Sequence, residues 1–125
     1  MSDTALDLWA ADLKYVPTGP HGSWTNYDPH WHDAIPDWVS YTPSDENPMP
    51  RRGQSVVYIF YDAANTPCYV GSTGDFSARL KRHLRDKKPI AVWVAYPCAS
   101  REEAYALEDR LLKECKPYLN KKAGA

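Results

Sequence analysis

From Ser55 onward, short apolar runs alternate with polar breaks, and the spacing within each run predicts its element. Val56 to Tyr61 (VVYIFY) is β-branched and aromatic and predicts a strand, DAANTP a turn, and Cys68 to Gly71 (CYVG) a second strand. The two strands read as a hairpin with a longer loop. If that loop is symmetric, Tyr58 and Tyr69 face each other as cross-strand neighbours. Phe76 to about Asp86 has helical spacing, with Gly74 or Asp75 as cap and Phe76, Leu80 and Leu84 as the core stripe. Ile90 to Tyr96 (IAVWVAY) is apolar on both faces and predicts a central or well-covered strand. Ser100 to Glu103 forms an S-x-x-E capping box for a helix running to about Lys116, which Pro117 ends. The order β-β-α-β-α predicts an α+β domain over residues 53–125: a small, mainly antiparallel three-stranded sheet flanked by helices.

Residues 1–52 follow a different pattern. Leu6, Trp9, Ala10 and Leu13 predict an amphipathic helix from about Asp3 or Thr4, after which Pro, Gly, Asn and Asp recur too often for a long regular element. Seven of eleven prolines and four of five tryptophans precede residue 51, so this stretch reads as an arm pinned to the domain by its tryptophans. The charge divides at the same place. Residues 1–50 carry one basic and eight acidic side chains, a net of −7, and residues 51–125 carry fourteen and eight, a net of +6. The overall charge of −1 therefore hides a dipole. Its basic half suits a polyanion, because cations that neutralise phosphates release counterions. The acidic arm is expected either to cover part of the basic face as a lid or to mediate a homodimer or protein contact.

At 125 residues, with 43% hydrophobic and 25% charged side chains, the chain has the composition of one soluble globular domain and not of a disordered protein. No run approaches the roughly 20 apolar residues of a membrane span. The opening MSDTALDLWAADLK lacks the features of a signal peptide, so a cytoplasmic protein without a membrane partner is expected. Cys68, Cys98 and Cys115 are odd in number and widely spaced, which suggests reduced core thiols. His30 and His32, with His21, Asp28 and Asp33, could bind a transition metal, but without helical spacing they read more simply as loop side chains.

Two groups of residues suggest chemistry. On the last helix Ala104, Leu107, Leu111 and Cys115 form the inward stripe, and at 100° per residue Glu108 points into it. A carboxylate there needs a cation, a metal or hydrogen-bond donors, so Glu108 is either functional or half of a buried ion pair. On the preceding helix Arg79 and His83 stack at i, i+4 beside the apolar stripe, where a guanidinium can grip a phosphate oxygen and an imidazole can pass a proton. Lys81, Arg82 and Arg85 lie elsewhere on that helix, solvated or facing phosphate. Tyr69 to Gly74 (YVGSTG) brings small residues between strand and helix and permits close approach of a phosphate, but it lacks the lysine of a nucleotide-hydrolysing P-loop.

Taken in order, VVYI, CYVG, SARLKRH, ALEDRLLK and KPYLN resemble the GIY-YIG nuclease domain, over roughly Ser55 to Lys121. The resemblance implies metal-dependent endonuclease activity: hydrolysis of a phosphodiester, most simply in DNA, by in-line attack of water with one Mg²⁺ or Mn²⁺ held by Glu108. It further implies that Tyr58 is the general base toward that water, that Tyr69 and His83 position the water or relay its proton, and that Arg79 neutralises charge on the phosphate. Gly71, Ser72, Thr73, Lys81 and Arg82 would contact substrate, and Asn120 would fasten the C-terminal loop. Val56 stands where the family often has a glycine, and Ser72 and Thr73 stand where some relatives have a lysine. The alternative is a catalytically silent module of the same fold that binds DNA or protein.

Overall fold

The strand expected over Val56–Tyr61 is buried at all six positions because it is covered on every side. The computed structural model describes residues 17, 19–25 and 50–120. The helix expected from Asp3 or Thr4, and most of the arm, lie outside the described residues. The elements are β1 (Trp24–Thr25), β2 (Val56–Tyr61), β3 (Pro67–Thr73), α1 (Phe76–Arg85), β4 (Val92–Pro97) and α2 (Arg101–Cys115). The sheet order is β1-β4-β2-β3, with every pairing antiparallel. Among the described residues it has four strands where three were expected. The fourth comes from the arm, where Trp24 pairs with Ala95 and Thr25 with Val94. A two-residue strand among prolines and glycines carries no alternation that a sequence pattern could reveal.

Alternation along β2 feeds two cores. Val57, Ile59 and Tyr61 face α2 and pack with Val70, Val94, Ala104, Leu107 and Leu111. Val56, Tyr58 and Phe60 face α1 and pack with Phe76, Leu80, Trp93 and Trp24, which is 1% exposed.

The hairpin register differs from expectation. Tyr58 pairs with Gly71, and Tyr69 pairs with Phe60. The turn causes this shift: Asp62 Oδ1 accepts from Ala64 N and Thr66 N, and Asn65 takes a positive φ of 63°. Because Pro67 pairs with Tyr61 and Tyr69 with Phe60, Cys68 is left as the extra residue of a bulge.

Both helices start at their expected caps. Asp75 accepts from Ala78 N at 3.2 Å at the start of α1. Ser100 accepts from Glu103 N at 3.0 Å at the start of α2, while Glu103 Oε1 reaches back to Ala99 N. Lys116, with φ 48°, closes α2 just before Pro117. The core stripe of α1 needs one correction. Leu84 is 52% exposed and His83 takes its place, buried beside Phe76 and Leu80. A polar ring is tolerated there because Tyr58 supplies a hydrogen-bond partner.

The outer edge of β3 is covered by the end of the chain. Leu119 N donates to Cys68 O, and the Asn120 side chain both accepts from Val70 N at 2.8 Å and donates to Val70 O at 2.9 Å. One amide thus satisfies the edge strand as a neighbouring backbone would. On the opposite side of the sheet the arm is tied down by Tyr96 Oη donating to Pro17 O, and by a hydrogen bond between His21 Nε2 and Glu103 Oε1 at 3.0 Å. Burial pushes all three cysteine thiols up to about 11, so they stay protonated. No helix among the described residues is long and apolar enough to cross a membrane.

Candidate active site

Gly71 determines how the site packs. It lies opposite Tyr58 in the β2–β3 ladder, and a Cβ built on it would fall 2.5 Å from Tyr58 Oη and 3.1 Å from Tyr69 Cε2. Without that carbon, the Tyr58 ring lies flat over the strand and carries its hydroxyl to His83 Nε2, 3.0 Å away. The ring is held from several sides, with centroid distances of 4.9 Å to Phe60, 5.4 Å to Phe76 and 6.2 Å to Tyr69. Tyr69, half-buried on the same face, also stacks on Phe60 and comes within 4.7 Å of the His83 ring. Tyr58 and Tyr69 are therefore diagonal neighbours and not a facing pair.

Burial controls the protonation of this cluster. It raises the Tyr58 phenol well above the ordinary tyrosine range, helped by the neighbouring Tyr69, while the Arg79 guanidinium beside the hydroxyl pulls the other way. Tyr69 is also raised by burial, against Arg79. His83 is lowered to about 4, first by burial and then by the cations Lys88 and Arg79. Tyr58 and His83 thus form a neutral hydrogen-bonded pair at pH 7. His83 Nδ1 is buried and has no partner among the described residues.

Glu108 reaches this region from the other face of the sheet. It is half-buried on α2 rather than enclosed by the apolar stripe, and Ser72 Oγ donates to its Oε1 at 2.8 Å. The partner is a hydroxyl, so the buried ion pair considered above is not what holds it. Ser72 in turn accepts from Arg101 Nη2 at 3.1 Å, and Arg101 Nη1 donates to Ser55 Oγ at 2.8 Å. A guanidinium at the start of α2 therefore braces the serine that braces the carboxylate. The charge of Glu108 is felt by both Tyr58 on β2 and Tyr69 on β3, and raises both phenols.

The remaining candidates divide between outward and internal tasks. Arg79 makes no ion pair among the described residues. Arg82 is exposed, and its charge reaches Tyr69. Lys81 lies in a separate groove with Arg52, Asp75, Ser77, Ala78 and Arg85. Gly71 is buried under Tyr58, and Thr73 is buried with its hydroxyl accepting from Asp75 N at the entry to α1. Asn120 clamps β3 next to Tyr69 and Gly71. Two residues escaped the sequence reading. Lys88 Nζ sits 5.2 Å from the centre of the Tyr69 ring, and Arg101 reaches Ser72 across 29 residues. Neither carries a local signal, because each acts through a partner that only the fold brings near.

A divalent ion fits this donor set through one carboxylate. Among the described residues no group of three or more His, Cys, Asp or Glu could hold a metal, and Glu108 is the carboxylate that the site itself would offer one. Hard ions such as Mg²⁺ accept that arrangement, with water and substrate oxygens completing the shell.

Comparison with known proteins gives three findings. The sequence model of the GIY-YIG catalytic domain matches residues 54–123, more than half of the chain. Among solved structures, the GIY-YIG N-terminal endonuclease domain of UvrC from Thermotoga maritima, crystallised with its catalytic divalent cation magnesium, is similar. It is 26% identical, with 56% of this chain and 86% of that one covered and a TM-score of 0.49. No curated protein matches.

Proposed function

Since the chain belongs to the GIY-YIG catalytic domain family, which supports a nuclease, we propose that it is a metal-dependent endonuclease that hydrolyses phosphodiester bonds in DNA by in-line attack of water. One observation carries this reading: a neutral Tyr58–His83 pair, the Arg79 cation and the Glu108 carboxylate, brought together from β2, α1 and α2, all act on the Tyr58 hydroxyl.

In this scheme Arg79 pairs with the non-bridging oxygens of the scissile phosphate and offsets the charge that develops on them, worth about 3 to 4 kcal/mol for a well-placed donor. Water attacks phosphorus and the P–O3′ bond breaks. The water proton goes to Tyr58 Oη as the phenol proton moves to His83 Nε2, and the leaving oxygen takes a proton from solvent. Because Tyr58 is raised and His83 lowered, neither starts as an ion, so the proton moves through the pair as the attack proceeds. Tyr69 holds the water against the Tyr58 hydroxyl. Glu108, oriented by Ser72, would hold Mg²⁺ or Mn²⁺. When bound, the ion supplies positive charge to the leaving and non-bridging oxygens.

The test is incubation of wild type and Glu108→Ala with supercoiled plasmid in Mg²⁺, Mn²⁺ and EDTA. Nicking or linearisation by wild type alone, and only with metal, is the expected result. A folded wild type that binds DNA and cuts under none of these conditions would replace the nuclease with a binding module.

A further inference from the structure

The helix that presents Arg79 has a second side. Its sequence, FSARLKRHLR, contains four fixed cations and no acid. On α2 the surface cations are neutralised locally, Lys113 by Asp109 at 3.1 Å and Arg110 by Glu114 at 3.5 Å. Lys81 and Arg85 of α1 have no ion-pair partner among the described residues. At 100° per residue, Arg82 lies about 60° round the helix from Arg79, Arg85 about 120° and Lys81 about 160°. The cations thus form a band running from the catalytic face to the far side of the helix. There Lys81 and Arg85 join Arg52 and the small residues Ser77 and Ala78 in an open groove of about 450 Å³. The one acid in the groove, Asp75, is already used: it caps α1 and lies 3.7 Å from Arg52 Nε.

We propose that this groove holds the sugar-phosphate backbone of the same DNA, on the far side of α1 from the bond being cut. The inference rests on the nuclease reading above and extends it to Arg52 and Arg85, which lie away from the reacting atoms. A helix is 10–12 Å across and a DNA strand advances about 3.4 Å per nucleotide, so the groove meets phosphates roughly three nucleotides from the one facing Arg79. Small side chains at Ser77 and Ala78 let the backbone lie close, and the unpaired cations gain by displacing its counterions.

The test is fluorescence anisotropy of a labelled duplex of about 20 base pairs in EDTA, over about 50 to 250 mM salt. Wild type is compared with Lys81→Ala/Arg85→Ala and with Arg110→Ala/Lys113→Ala on α2. Each lost phosphate contact lowers the slope of log affinity against log salt by about 0.9, so the groove variant should lose about 2 while the α2 variant keeps the wild-type slope. All four side chains are exposed, and circular dichroism confirms that each variant is folded. A groove variant with the wild-type slope, or an α2 variant that loses as much, overturns the groove and leaves the nuclease reading standing. A wild type that binds no duplex overturns the groove as well, while the nuclease reading stands or falls on the plasmid assay with metal.

Discussion

Gly71→Ala tests the packing on which the site depends. The added carbon would sit 2.5 Å from Tyr58 Oη and 2.7 Å from its Cζ. Ordinary contact begins near 3.4 Å, so the ring would have to move by about 0.9 Å. It has little room, being 0% exposed between Phe60, Phe76 and Tyr69. Overpacking of this kind costs about 1 to 3 kcal/mol. For a domain of this size about 2 kcal/mol lowers Tm by roughly 6 to 10 °C. The same displacement stretches the 3.0 Å bond to His83, and misplacement of a reacting group by about 1 Å costs on the order of 100-fold in rate. Thermal denaturation followed by circular dichroism gives the first quantity and plasmid nicking the second. Tyr58→Phe removes the closest of the clashing atoms, so Gly71→Ala should cost less stability in that background than alone. A Gly71→Ala protein with wild-type Tm and wild-type nicking would refute the claim that the missing side chain positions Tyr58.

Three further outcomes are expected. Because His83 is lowered from 6.5 to about 4, it binds fewer protons in the folded chain than in the unfolded one between those values, so its contribution to stability is intact above pH 6.5 and is lost as pH falls toward 4. That loss amounts to about 3 kcal/mol at most, and urea titrations of wild type and His83→Gln at pH 7 and 4.5 should show a steeper decline for wild type. Arg101→Ala should slow cleavage several-fold in a Ser72-containing enzyme and have little further effect in Ser72→Ala, since it acts through that hydroxyl; additive losses in the double-mutant cycle would disprove the relay. Asn120→Ala removes two hydrogen bonds from the edge of β3 and should cost about 1 to 3 kcal/mol by denaturant titration, while Asn120→Asp keeps the acceptor to Val70 N and loses the donor to Val70 O.

The elements were legible where local chemistry decides them. VVYIFY is β2 to the residue, and Asp75, Ser100 and Pro117 mark helix ends that propensity alone would blur. Glu108 stood out because a carboxylate beside a leucine stripe demands a partner, although that partner is a serine one strand away. What stayed hidden depends on other parts of the chain. The shift that places Tyr69 opposite Phe60 arises in hydrogen bonds within the Asp62 turn and in the bulge at Cys68, which run lengths do not report. The exchange of Leu84 for His83 on the buried side of α1 depends on the Tyr58 hydroxyl, 25 residues earlier. Trp24–Thr25 becomes a strand only because β4 offers it an edge.

The order of the strands also has a kinetic side. β2 and β3 are joined by a five-residue turn, so the hairpin that sets Tyr58 over Gly71 can close early and locally, and α1 follows it directly in the chain. β4 must then close a loop of about thirty residues to lie against β2, and Trp24 meets Ala95 across seventy-one. Topology therefore predicts that the tyrosines, Arg79 and His83 assemble first, and that Glu108 reaches them only when β4 and α2 dock. A chain emerging from the ribosome would bring Tyr58, Tyr69, Arg79 and His83 together before Glu108 joins them, so any chemistry that needs all five would wait for one of the last events of folding.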